Sequence, residues 1–458
     1  MRALDRYGPY LLLAVLFCVA LIWRPLLPID ETRYMTVAWE MFLQKRYAVM
    51  SLNFAPYHHK PPMLFWLINA AWQALGVSRW AALIPVFLAS LCLMVLIRKL
   101  AHRVWENKVR DNNSKFLPWL VIGAVPFLLY STLLMFDILV SVWLLLCMIL
   151  FLDHVRNPRW WRPVLAGLMV GCGILTKGPV MYLYVLWPLL LYPFWRKAND
   201  ISIASYYRSL GVAAVISLLP VALWLYPALK QTTGDFAFWL LWEQTAGRIS
   251  GNMGAAHSRP FYFYFMVLPV LFMPWIFFPS VWKNLKTVNG QRQDYRFLAA
   301  ATLPVFLSFC LIAGKQPHYL MPLFPYIIIA LGAWTKDVRP SVARGVAVIL
   351  VASTIIGQAV AAQTSFVKYD LKPFAAFYKE HADVDWAFVR NYQGEIGYLA
   401  RVEKKIDDLE FTELSDWLVN HPQGYALVRY SDRDNISDYN LVYTRPYKGK
   451  QLGVFTKK

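Results

Sequence analysis

Long stretches with almost no charge recur along this chain, and they constrain its fold more than any other feature. They fall at residues 10–27, 117–136, 138–152, 178–195, 210–229, 261–282, 297–313, 319–335 and 345–367. A helix needs about 20 apolar residues to cross a bilayer, and fewer where its ends snorkel. Only 16% of the 458 residues are charged and the mean hydropathy is +0.40, whereas soluble domains carry about a quarter charged residues. The pattern predicts an all-α polytopic membrane protein with about eleven to thirteen transmembrane helices. The apolar run after Arg6 is expected to be a span and not a cleaved leader, because no small-residue cleavage pattern follows it.

The formal charge is +19, a value that could suggest nucleic acid. Its distribution excludes that reading. Residues 366–458 hold 14 basic and 14 acidic side chains, so the whole excess lies in the membrane part, where basic residues between spans are first a topology signal. Placing the clusters at 98–115, 156–162, 196–208, 283–296 and 336–344 inside gives a consistent path. It leaves outside residues 29–60, the turn at Asp137, "LTKGP" at 175–179, the loop 230–260, "AGKQPHYL" at 313–320 and everything after about 366. Two domains are expected: 1–365 in the membrane, and 366–458 a small soluble α/β domain. Within the latter "DWAFVR", "GYALVRY", "NLVYT" and "LGVFT" alternate as strands and "TELSDWLVNH" reads as a helix. Cys18, Cys92, Cys147, Cys172 and Cys310 all fall in apolar runs, so no disulfide framework is expected.

The unusual polar residues gather on the outer side. Channels and transporters more often place them at mid-bilayer in broken helices, whereas outer ends of spans suit an enzyme of the outer leaflet. A carrier or flippase would need polar residues continuing to the inner side, and few occur. Arg33, Lys60, Lys177 and Lys315 are outward cations from distant parts of the chain. Such a set suits a phosphate, although snorkelling explains each lysine alone. No Walker A loop or dinucleotide fingerprint occurs, so a lipid-linked phosphate fits better than a soluble nucleotide. Asp30 either caps a helix or serves as a general base, and spacing does not choose between them. Glu31 starts an amphipathic surface pattern with Met35, Trp39 and Phe42. Asp137, an acid in apolar surroundings, calls for a partner or a function. Among the outer histidines, His59 and His257 are the candidates for a divalent metal, but no metal-site spacing supports them.

In this order "DETRY", "KPP" at 60–62, Asp137, "LTKGP", "AAHSRPFYFY" and "GKQPHYLMPLFP" resemble the polyprenyl-phosphate-dependent glycosyltransferases of the GT-C fold. The likeness covers roughly residues 8–335. It is nearest the bacterial 4-amino-4-deoxy-L-arabinose transferases that modify lipid A, with the protein O-mannosyltransferases as cousins. The resemblance implies an inverting transferase at the periplasmic face of the bacterial inner membrane. Its donor would be a polyprenyl (undecaprenyl) phosphate sugar, and its acceptor a lipid, a protein or another envelope glycan. It places Asp30 near the reacting centre and Asp137 beside it, with Arg33 and Lys60 at the lipid phosphate. Lys177, Lys315 and His257 would line the same cavity, with Glu31, His59, His318 and Tyr319. One departure stands out: His59 precedes Lys60-Pro61 where the aminoarabinose transferases have a glutamate.

Overall fold

The computed structural model describes residues 3–105, 112–232, 258–290, 292–431, 434 and 436–458. Six of the described helices are long and apolar enough to cross a membrane: Leu4–Trp23, Arg79–Trp105, Asp137–Arg156, Ile203–Lys230, Gln293–Leu311 and Pro340–Gln363. Met63–Leu75, Val180–Leu190 and Phe263–Phe272 are apolar but shorter. Several runs expected as single spans are interrupted where proline removes a donor or glycine relaxes the backbone. Run 117–136 divides into Asn112–Ile122 and Val125–Tyr130 around Gly123 and Pro126. Run 261–282 divides at Pro274 and Pro279, and run 319–335 enters its helix Phe324–Trp334 through a 3-10 segment, Pro317–Leu323.

Two compact units emerge. They do not divide the chain at residue 365: the first comprises 1–18, 58–67 and 83–354, and the second 19–57, 68–82 and 355–458.

In the first unit, helix Trp161–Lys177 packs against both Asp137–Arg156 and Ile203–Lys230. Glycine permits the second approach. A Cβ on Gly167 would lie 2.4 Å from the Ala213 carbonyl oxygen, and one on Gly171 would lie 2.7 Å from that of Ser217. This four-residue spacing of small residues lets backbones close without a hydrophobic driving force, the condition inside lipid. Helix Asp137–Arg156 is interior, with 78% of its apolar window buried, whereas Pro340–Gln363 buries only 11%. An apolar helix that bare finds its favourable solvent in hydrocarbon. On the basic side, Arg103 forks onto Asp153 at 2.7 and 2.8 Å, which anchors the connectors expected there.

The second unit contains a hairpin, β1 Ser51–Leu52 and β2 Ala55–Pro56, and a five-stranded sheet. The strands are β3 Trp386–Val389, β4 Asp407–Leu409, β5 Tyr425–Tyr430, β6 Tyr439–Tyr447 and β7 Lys450–Lys457, in the order β4-β3-β5-β7-β6. Strand β3 pairs in parallel with β4 and β5, and the remaining pairs are antiparallel. Side chains alternate as the pleat requires. Trp386, Phe388 and Leu427 join one apolar core with helix Lys372–Glu380. Ala387, Val389, Ala426 and Val428 join the other with helix Leu414–Asn420. The four strands and the helix read from the sequence are present. Strand β4 and helix Lys372–Glu380 are additions.

Candidate active site

Helix Asp30–Gln44 positions the first constellation, inside the second unit. It is not the surface helix that its pattern suggested. Every residue from Glu31 to Met41 except Arg33 is buried. Three buried polar residues at four-residue spacing, Thr32, Thr36 and Glu40, form a stripe along it. Glu40 accepts hydrogen bonds from the Ser51 hydroxyl (2.6 Å) and from the backbone N–H groups of Asn53 (2.7 Å) and Phe54 (2.9 Å). Burial nevertheless raises its pKa above the ordinary carboxylate value. Thr36 donates to the Gly394 carbonyl (2.8 Å) and accepts from the Tyr398 N–H (3.0 Å), tying this helix to segment 394–398.

Asp30 is not the N-cap. Ile29 holds that position without a side-chain cap bond, and the Arg33 N–H goes to the Ile29 carbonyl. The Asp30 carboxylate, 52% exposed, instead accepts from Arg33 Nη2 (2.9 Å) and the Tyr34 hydroxyl (3.2 Å). Arg33 Nη1 donates to Gln393 Oε1 (3.0 Å). Burial works against the charged guanidinium, but Tyr57, Tyr34 and Asp30 outweigh it and raise its pKa, so Arg33 is a fixed cation. Glu31, 2% exposed, turns the other way. It is ion-paired with Arg24, 5% exposed, and accepts the Leu27 N–H at 2.9 Å. This pair staples the turn between the first span and the helix, so Glu31 acts in the scaffold that presents Asp30. The sequence held a faint signal for it, an arginine seven residues before an acid at a membrane exit.

The second constellation lies in the first unit. Asp137, 2% exposed at the start of its helix, pairs with Lys177 at the last turn of Trp161–Lys177. Its carboxylate also faces Lys60 and His318. Lys177 sits over the Tyr319 ring, 4.5 Å from its centroid, and Lys60 lies 5.6 Å from the centroid of Phe136. The His318 ring meets Tyr319 edge-on at 4.8 Å. The Tyr184 hydroxyl holds the Tyr319 carbonyl at 2.7 Å, and Tyr264 brackets Gln316 at 3.2 Å. These two tyrosines escaped sequence reading because apolar helices use tyrosine as an interfacial belt too.

Lys315 stands apart from the other cations. It is 2% exposed, and its ammonium donates to the Arg259 carbonyl (2.9 Å) and to that of Ile312. Burial lowers its pKa. It closes the carbonyls beyond helix Gln293–Leu311, so in this geometry it holds the "GKQPHY" turn. His59 is exposed, with its ring stacked 4.5 Å from that of His58. His257 and the glycine-rich loop around it lie outside the described residues. Among the described residues no group of three or more His, Cys, Asp or Glu is arranged to hold a metal, so His59 has no ligand set there.

This fold and its apolar spans define a polytopic membrane protein of the GT-C type. It superposes on the ArnT of Cupriavidus metallidurans bound to undecaprenyl phosphate with a TM-score of 0.75 at 16% identity, covering 99% of this chain and 98% of that one. The oligosaccharyltransferase of Archaeoglobus fulgidus, in complex with zinc and sulfate, matches with a TM-score of 0.53 at 12% identity, over 91% of this chain and 68% of the other. In sequence, residues 59–224 match the family model described as dolichyl-phosphate-mannose-protein mannosyltransferase. The undecaprenyl phosphate-alpha-4-amino-4-deoxy-L-arabinose arabinosyl transferase of Serratia proteamaculans (strain 568) is 26% identical over 348 residues, 71% of this chain and 59% of that protein. Its namesake from Yersinia pestis (strain Pestoides F) is 24% identical over 326 residues, 69% of this chain and 56% of that protein. The chain thus spans somewhat under three fifths of the length of these curated relatives. The resemblance carried by the motifs is borne out: the chain resembles the aminoarabinose transferases and the protein mannosyltransferases.

Proposed function

We propose that this chain is an integral membrane glycosyltransferase. It moves a sugar from a polyprenyl phosphate to an acceptor at the outer, periplasmic face of the bacterial inner membrane. The observation that carries the reading is the half-exposed Asp30 carboxylate, held by Arg33 and Tyr34 just beyond the first span. A polyprenyl phosphate keeps its tail in the bilayer and its phosphate at that level. Arg33, charged at every working pH, stabilises the phosphate as the bond to the anomeric carbon breaks. Preorganised charge of this kind is usually the largest catalytic contribution. The phosphate leaves as an anion and needs no general acid. Asp30 accepts the proton of an acceptor hydroxyl as its oxygen attacks with inversion. For a phosphate acceptor, already ionised, Asp30 instead stabilises the positive charge that develops on the sugar ring. Asp137 and Lys177 hold the second constellation in a fixed geometry and are assigned a positioning role.

The names of the curated relatives support 4-amino-4-deoxy-L-arabinose or a related sugar as donor group and lipid A as acceptor. His59 favours a second reading, because a histidine in place of the family glutamate removes a carboxylate that could hold an amino sugar. A neutral sugar, or a protein or other glycan acceptor, then follows. Purified chain is given radiolabelled undecaprenyl phosphate sugars with lipid A or a crude envelope extract, beside an Asp30→Asn control. Label on lipid A that the variant loses supports the first reading. Label on another acceptor supports the second. Donor binding without any transfer would replace both with a lipid carrier.

A further inference from the structure

The C-terminal sheet has no role in the reaction as described, yet it reaches the Asp30–Arg33 pair. Gln393, which holds Arg33 Nη1 at 3.0 Å, lies 360 residues further along the chain. It sits on a constrained segment: Arg390, Asn391 and Gly394 have φ of 75°, 67° and 78°. Left-handed backbone at non-glycine residues persists where surrounding contacts over-determine it. Those contacts are the Thr36 bonds to Gly394 and Tyr398, and a fit so close that a Cβ on Gly397 would lie 2.4 Å from Thr36 Cγ2.

Behind this segment is a buried carboxylate. Glu395, 2% exposed, accepts the Gln393 N–H at 2.7 Å and faces Arg429 on β5 and Lys448 at the β6–β7 turn. The exposed Lys448 ammonium is within electrostatic reach of Glu395, Arg429, Asp30 and Arg33 together. Lys448 thus couples electrostatically to two acids and two arginines at once, and burial disfavours the ionised form of Glu395. The donors are not all used. The Nε–H groups of Arg33 and Arg429 and the Tyr447 hydroxyl are buried without a hydrogen-bond partner among the described residues. Buried donors left unmatched are costly, and an oxyanion is the ligand that would satisfy them.

We infer that Arg33, Arg429 and Lys448 form a binding subsite for a phosphate group, with Gln393 and Glu395 as its positioning residues. The inference deepens the transferase reading, on which it rests for the role of Arg33. Phosphate chemistry is shared by a lipid headgroup and by free phosphate, and two titrations separate them. Full-length chain in nanodiscs is titrated with inorganic phosphate, read by 31P line broadening, and with short-chain phosphatidic acid against a neutral phosphatidylcholine control. Lys448→Ala and Arg429→Ala are each expected to weaken binding by about tenfold, and Lys448→Arg to restore it. Gln393→Glu, which offers Arg33 a competing carboxylate, should weaken binding without touching either cation. Weakening of both titrations assigns the site to the phosphate group alone, and weakening of the lipid titration only assigns it to a headgroup. Wild-type affinity in both alanine variants, with unchanged thermal unfolding, overturns the inference. Should the alanine variants unfold, Gln393→Glu decides: wild-type affinity in that variant, with unchanged thermal unfolding, overturns the inference. Binding is read without transfer, so lysine-dependent binding in a chain that transfers nothing would sink the transferase reading and leave this subsite standing.

Discussion

Removing one partner of the Asp137–Lys177 pair is expected to destabilise the chain strongly and asymmetrically. Their side chains are 3% and 6% exposed, so neither charge can be hydrated by a rotamer change. Breaking a buried pair by removing one partner typically costs about 3–5 kcal/mol, because the survivor remains as an uncompensated charge. The neighbourhood decides which loss is worse. After Lys177→Met, Asp137 still faces Lys60 and His318, which places this variant near the lower end, about 3 kcal/mol. After Asp137→Asn, Lys60 and Lys177 lose the anion they share and repel one another, and His318 loses its partner as well, which places that variant near the upper end, about 5 kcal/mol. The double variant removes both charges of the pair and leaves only Lys60 and His318 without their shared anion, so a coupling of about 2 kcal/mol or more is expected in the cycle. Reversible denaturation in mixed micelles measures all four corners. Equal costs for the two single variants, or additivity within about 0.5 kcal/mol, would refute the argument that Asp137 is a shared counter-ion.

Glu40 should give the second unit a pH signature. Its folded pKa is raised above the unfolded value of 4.5, so the native state binds the extra proton between the two values. Stability therefore falls as pH rises through that window, and Glu40→Gln should flatten the slope of unfolding temperature against pH there. Gly397→Ala should cost about 1–3 kcal/mol by overpacking, with part recovered by Thr36→Ser because the obstructing Cγ2 is gone. Gly167→Leu should disrupt the crossing with Ile203–Lys230, read as lost yield of folded protein in detergent, whereas exposed Gly211→Leu should not. Lys315→Met should alter thermal stability more than donor affinity, since its ammonium is spent on backbone carbonyls.

Much of the architecture was legible because the relevant signals are local. Apolar runs mark spans, and the alternation in "GYALVRY" is the two-faced pleat of β5 itself. The breaks within runs were written in Pro126, Pro274 and Pro279, but hydropathy averages over them. Helix Asp30–Gln44 misled for a different reason. Its polar residues look solvated in sequence, yet Thr36 and Glu40 spend their oxygens on backbone groups brought from elsewhere. Asp137 and Lys177 could be singled out as expensive charges, while their pairing could not. Gln393 carried no signal at all, because its value lies in a contact 360 residues away.

The most direct test of the central claim is donor turnover by the reconstituted chain. Proteoliposomes containing undecaprenyl phosphate sugar labelled in the sugar are incubated with acceptor, and label leaving the lipid is counted. The account predicts release by the wild type, collapse of release in Asp30→Asn with donor binding retained, and weakened donor binding in Arg33→Ala. Wild-type turnover by Asp30→Asn would contradict it.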